Sequence, residues 1–332
     1  MISKLLKITS IALAASLFSA TASAQQTINF GIISTESSSN LKKVWTPFLD
    51  AMREQTKLDV KAFFASDYAG VIEGMRFNKV QIAWYGNKSA MEAVDRSNGE
   101  VFAQTVDSEG NPGYWSLMIV HKDSPYNTLE DVLKCDSSLN FGIGDPNSTS
   151  GFLVPTTYIF ADRGIDPKAC FKTVRNATHE ANAMAVANKQ VDVAANNTEN
   201  LRRLAITSPK ARGNIKVIWQ SPLIPSDPLV WRTDLDADLK AKLYTFIMTY
   251  GRIGTTEQVQ KAREVLTNLG WAPFRPSSNA QLYPIRQLAI NKEILKLKAD
   301  MKLSADEKDG KIEGLRKESE KIGKLMGKAP NV

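Results

Sequence analysis

The residues best suited to chemistry are Asp145-Pro146-Asn147-Ser148-Thr149-Ser150-Gly151, which close an apolar run over 139–143 and open a helical pattern over 151–162. A helix N-terminus leaves backbone N–H groups without partners and carries roughly half a positive charge. The consecutive hydroxyls of Ser148, Thr149 and Ser150 add side-chain donors there, so the stretch reads as a seat for a tetrahedral oxyanion. The simpler reading is that Ser148 only caps the helix, as Ser, Thr, Asp and Asn commonly do.

Other chemistries lack their constellations. The chain has no G-x-S-x-G elbow and no Walker loop, and His121 and His179 are its two histidines. His179-Glu180 begins like a zinc-protease helix, but residue 183 is Ala and the second ligand is missing, so no metal and no other cofactor is expected. A hydrolase using Ser148 as nucleophile and His179 as base would lack a recognisable orienting partner, and no enzyme activity is expected.

The elements that must position these residues alternate. Strands are predicted at 28–33, 60–64 and 81–85, each followed by a helical pattern, which indicates parallel βαβ units with ligands at the carboxyl ends of the strands. The loops 34–39, 67–68 and 85–87 fall at those ends. A long strand over 113–121 leads into a second βα series that contains the hydroxyl seat, and extended runs at 215–219 and 229–231 lead out of it. Two extended crossings therefore bracket a middle lobe, and the fold expected is α/β, with two lobes joined by two hinge strands.

The boundaries expected are a first lobe from 25–118 and 223–287, a second lobe from 119–222, and a helical C-terminal tail over 288–332. Ile312, Leu315, Ile322 and Met326 share one face of that tail, although Gly310, Gly314 and Gly323 lower its helix propensity. It reads either as one or two helices docked on the protein or on a second copy, or as a frayed segment past Ser304.

Residues 1–24 carry Lys4 and Lys7, an apolar stretch over 8–18 and the ending Ala22-Ser23-Ala24, the pattern of a cleavable secretory signal peptide. No later run is long and apolar enough to span a bilayer. The formal charge is +7, and removing Lys4 and Lys7 leaves +5, interleaved with acids and without a basic, aromatic-studded patch, so nucleic acid is not an expected partner. Cys135 and Cys170 are the only cysteines, an even pair in an oxidising compartment, each just ahead of a predicted strand. They read as a disulfide or as two buried free thiols.

The segments at 29–37, 74–80, 83–87, 144–155, 196–200 and 270–274 carry a resemblance. With them the chain resembles the periplasmic phosphonate-binding components of ABC transporters, within the two-lobed, type II-like solute-binding proteins, over nearly all of the mature chain to about residue 288. The resemblance implies that Ser148, Thr149 and Ser150, with Tyr114 and His179, hold a phosphonate group. It implies further that Tyr68 walls the cleft, and that Glu199 and Asp227 receive a ligand amine. Without it, Tyr68 and Tyr114 could be core aromatics, His179 an ordinary helix-start residue, and Glu199 and Asp227 surface caps. No Arg or Lys lies within 148–150, so hydrogen bonds, including one from a protonated imidazole, are expected to do most of the anion binding. The partners implied are a small-molecule phosphonate such as 2-aminoethylphosphonate and an inner-membrane permease; a homodimer through the tail is expected from the tail's own apolar face and not from the resemblance. The compartment implied is the periplasm. Phosphate or phosphite is the alternative ligand.

Overall fold

The computed structural model describes residues 26–328, so the signal-peptide reading of residues 1–24 lies outside the described residues. Two sheets carry the architecture. The larger has strand order Trp271–Pro276, Gly99–Asp107, Pro228–Arg232, Ile82–Trp84, Thr27–Ile32, Asp59–Phe64. Its last three strands pair in parallel, as the βα alternation requires, and the others add antiparallel. The second sheet has the order Ile215–Gln220, Ser116–His121, Val193–Asn197, Asn140–Ile143, Thr173–Asn176. Again the last three strands pair in parallel, while Ser116–His121 pairs antiparallel with both of its neighbours, Val193–Asn197 and Ile215–Gln220.

The larger sheet is sealed by an aromatic core. Helix Ser38–Thr56 buries Leu41, Trp45, Phe48, Leu49 and Met52, spaced three or four apart and so on one face. Trp45 meets Phe48 edge-on at 5.9 Å and Trp271 at 5.4 Å between ring centroids, arrangements that favour the ring quadrupoles. The second sheet is buried on both faces, by Phe141, Phe160 and Phe171 on one side and by Ala183, Val186 and Leu204 on the other.

Between the sheets the chain passes through a two-stranded ribbon, Gly113–Tyr114 against Ile224–Pro225. The long strand predicted over 113–121 is thus two elements, broken at Trp115, and the second sheet begins at Ser116. A lobe boundary at 118/119 falls inside that strand. The apolar run conceals the break because ribbon and strand are both buried. The boundary at 287/288 likewise falls inside a helix, Tyr283–Ala299, which starts early because Pro284 suits the first helical turn, where its missing N–H costs nothing.

The tail is helical to Met326. Helix Ala305–Met326 starts with a capping box between Ser304 and Glu307 and buries Ile312 and Ile322, which offsets its interior glycines. Helix Tyr283–Ala299 touches both sheet regions. Arg286 pairs with Asp95 on one side, at 2.8 Å for the longer of its two bonds. On the other, Ile285 is buried with Tyr114, Leu153, Val154 and Ile224, and Lys292 Nζ lies 5.4 Å from the Phe152 ring centre.

Cys135 and Cys170 form a disulfide across a sequence separation of 35. It lies at the amino ends of the paired strands Asn140–Ile143 and Thr173–Asn176, and the hydroxyl seat follows the carboxyl end of the first of them.

Candidate functional site

The segment after strand Asn140–Ile143 is wound differently from the α-helix its sequence suggests. Residues Thr149–Leu153 and Thr156–Phe160 form π-helical turns, in which Leu153 N–H donates to Ser148 O at 3.1 Å. Pro155 follows the first turn, and without an N–H it cannot donate to the carbonyl of Gly151 four residues back. That carbonyl instead accepts from Gly144 N–H at 2.8 Å. A Cβ at Gly144 would stand 2.6 Å from Gly151 Cα, so glycine is what allows the strand end to lie against the turn.

The turn presents its three hydroxyls with acceptor positions already used. Ser148 Oγ caps Gly151 N–H at 3.0 Å, Thr149 Oγ1 accepts from Lys88 N–H at 2.8 Å, and Ser150 Oγ accepts from Asn197 Nδ2 at 3.0 Å. Ser148 therefore is a cap, as the simpler reading had it, and its hydroxyl also faces His179 Nε2 in the cavity. Ser116 Oγ fixes the turn from behind by donating to Ser150 O at 2.6 Å.

Tyr68, Tyr114, Ser148, Thr149, Ser150, His179, Glu199 and Asp227 all line one cavity between the sheets. Tyr68 and His179 are the first residues of helices capped by Asp67 and Thr178, Glu199 stands in the first turn of helix Thr198–Thr207, and Tyr114 belongs to the ribbon. Asp227 lies between the ribbon and strand Pro228–Arg232, where its carbonyl accepts from Thr105 N–H at 2.8 Å. Residues to which the sequence reading gave no role complete the wall: Ile33, Thr35, Trp84, Gly86 and Asn197, which lie in the segments that carry the resemblance, and Arg203, which does not. Arg203 had a signal, because it follows Glu199 by one helical turn and so shares its face.

The electrostatics differ from expectation at two points. His179 is 3% exposed, and burial, then the Arg203 charge, push its imidazole down to about 3, so it is neutral in this structure rather than protonated. A cation is nevertheless present in the wall, Arg203, whose guanidinium pairs with Glu36 from the other side of the cleft. Burial raises the pKa of Asp227, and the nearby Glu199 charge raises it further; burial also raises that of Glu199.

Hydrogen bonding in the cavity is incomplete. Thr35 Oγ1, Trp84 Nε1, His179 Nδ1 and Asp227 Oδ1 are buried without a partner, and all four residues line the cavity. Such groups cost roughly 1–3 kcal/mol each, so a polar ligand that satisfies them is stabilised by the deficit. Ser148 Oγ lies 3.4 Å from His179 Nε2, but the partnerless Nδ1 means that no acid orients the ring for base catalysis.

Several bonds cross the cleft besides Lys88–Thr149. Tyr68 N–H donates to Asp145 Oδ2 at 3.1 Å. Glu180 accepts from Ser37 N–H at 2.7 Å and from the Asn40 side-chain amide, and its own N–H donates to Thr35 O at 3.3 Å.

Two sheets joined by a short ribbon, with a polar, closed cavity at the carboxyl ends of their strands, define a two-lobed solute-binding protein. A family model described as "ABC transporter, phosphonate, periplasmic substrate-binding protein" matches residues 30–282, and the chain belongs to that family. It is 56% identical over 301 residues to the phosphonates-binding periplasmic protein of Escherichia coli K12, covering 91% of this chain and 87% of that one. It also resembles the crystal structure of a binding component of a Pseudomonas aeruginosa ABC phosphonate transporter, with TM-score 0.88 and 54% identity over 92% of this chain and 99% of that one. A phosphate-import protein of Mycolicibacterium smegmatis is 28% identical over 70% of this chain and 74% of its own. The family consists of periplasmic transporter components, and the chain is a solute-binding receptor and not an enzyme.

Proposed function

We propose that this receptor captures an aminoalkylphosphonate of the 2-aminoethylphosphonate kind and delivers it to an inner-membrane permease, after export by cleavage of residues 1–24. Ser148, Thr149, Ser150, Tyr114 and His179 hold the phosphonate oxygens, Tyr68 walls the cleft, and Glu199 and Asp227 receive the ammonium. The tail is the surface proposed for a homodimer. The observation that carries the ligand assignment is the sharing of one cavity by the hydroxyl seat and two acids, Glu199 and Asp227. A zwitterion gives both ends of the cavity a partner, its anion at the hydroxyls and its ammonium at the acids, which an ammonium holds ionised.

A neutral His179 sharpens the reading. The imidazole serves as a hydrogen-bonding group, and the positive potential near the anion comes from the helix ends at Ser148 and His179. The second reading, a receptor for phosphate, phosphite or another small oxyanion, is favoured by the relative named for phosphate import.

Calorimetry separates the two. Removing one partner of a closed charge pair costs roughly 2–5 kcal/mol, so Glu199→Gln or Asp227→Asn is expected to weaken 2-aminoethylphosphonate by roughly 30- to 4,000-fold. Methylphosphonate is expected to bind the unaltered protein more weakly and to lose little or gain in the variants. Tight binding of phosphate or methylphosphonate, equal to that of the aminoalkyl compound, favours the oxyanion reading instead.

A further inference from the structure

The ligand cavity and an open groove share a wall. Arg203 lines the cavity, and it also lines a groove between the lobes bounded by Glu36, Asn40, Glu180, Met184 and Ile206. The cavity has about 10 Å³ of free volume and the groove about 540 Å³. The closed cavity as it stands has room for about one water, so a ligand must take its space from the walls, and the open groove lies just beyond one of them, Arg203. That side chain is held in place: the Arg203 side chain is 11% exposed, and its guanidinium is tied to Glu36, itself 5% exposed, from the opposite lobe.

Position along the helix gives the wall its meaning. Glu199 and Arg203 are four residues apart on helix Thr198–Thr207, hence neighbours on one face. An ammonium seated at Glu199 has Arg203 one turn further on. A longer ligand that extends past Glu199 along this face meets the guanidinium, which resists it both sterically and by like charge.

We propose that Arg203, pinned by Glu36, is a specificity-determining residue that limits the length of the bound aminoalkylphosphonate by walling the cavity off from the groove. This rests on the aminoalkylphosphonate reading above. Removing the wall joins the two spaces, and the groove's Glu180 is then within the enlarged site as an acid able to face a longer ligand's ammonium.

The test is calorimetric titration with 2-aminoethyl-, 3-aminopropyl- and 4-aminobutylphosphonate. Unaltered protein is expected to lose about tenfold or more in affinity per added methylene. In Glu36→Ala/Arg203→Ala, which strands neither charge, the preference for the aminoethyl over the aminobutyl compound should shrink by about tenfold or more. Glu36→Leu/Arg203→Leu refills the wall with apolar bulk and should retain much of the preference, with thermal melts checking that both variants fold. If neither pair of substitutions alters the preference while all three ligands weaken together, Arg203 is not the wall. Should the Ala variant fail to fold, loss of the preference in the Leu variant as well would overturn a steric wall. If unaltered protein binds none of the three, the ligand reading and the length limit fall together; if it binds the aminoethyl compound but length preference ignores the wall, only the limit falls.

Discussion

The backbone N–H of Lys88 donates to Thr149 Oγ1 at 2.8 Å, joining the start of a helix on the larger sheet to the hydroxyl seat of the smaller one. The bond uses an acceptor position of the very hydroxyl that is proposed to donate to the ligand. Closure and anion recognition therefore meet at one oxygen.

Thr149→Val keeps the shape and removes that oxygen, leaving the Lys88 N–H without its acceptor. A stranded buried donor costs roughly 1–3 kcal/mol, so phosphonate affinity should fall by roughly 5- to 150-fold, while Thr149→Ser retains most of it. Calorimetry on both variants checks this; equal loss in the two, although Ser keeps the hydroxyl, would mean that the Lys88 bond is not what the effect depends on.

Glu180 follows His179 and reaches across to Ser37 and Asn40 at the start of helix Ser38–Thr56, where a carboxylate also complements the helix dipole. Charge-assisted bonds of this kind contribute roughly 1.5–3 kcal/mol. Because these bonds exist only while the lobes meet, Glu180→Ala should speed ligand dissociation by about 10- to 150-fold and leave the melting temperature of the ligand-free protein nearly unchanged. Stopped-flow dissociation and thermal melts supply the two readouts. A large loss of ligand-free stability with unaltered dissociation would mean that Glu180 is structural.

The titrating groups of the site pull in opposite directions with pH. His179 is pushed from 6.5 down to about 3, so its share of stability is present above pH 6.5 and is lost as pH falls toward 3. Asp227 and Glu199 are raised, so the folded state favours their protonated forms and loses stability as pH climbs from the ordinary carboxylate range through the raised values. An ammonium at these acids reverses the second trend and displaces the proton. Binding of 2-aminoethylphosphonate is expected to release more protons from the unaltered protein than from Asp227→Asn, measured by calorimetry in buffers of different ionisation enthalpy. Equal release from both would remove Asp227 from the ammonium site.

What the chain reveals without coordinates is largely what is local. The hydroxyl run at 148–150, the strand before it and the βα alternation are properties of neighbouring residues, and they announce both the seat and the fold class. Pro155 was equally visible, but its effect on the turn depends on Gly144 N–H arriving from another segment to take the freed carbonyl. Arg203 and Asn197 acquire their places only when the lobes meet. The neutrality of His179 follows from burial that no spacing encodes. Trp115 hid the break between ribbon and strand because apolar residues continue through it on both sides.

The disulfide adds one property to the site. Residues 136–169 form, with Cys135 and Cys170, a covalent ring that contains Ser148, Thr149, Ser150 and Pro155, whereas Tyr114, His179, Glu199 and Asp227 lie outside it. Closing such a loop contributes about 3–4 kcal/mol in the chain-entropy view. Its topological effect is separate from that energy: a single backbone cut anywhere inside the ring leaves both ends tethered. The segment that seats the anion would stay attached to the receptor after a nick in its own chain, a tolerance that an unbridged loop of the same sequence would lack.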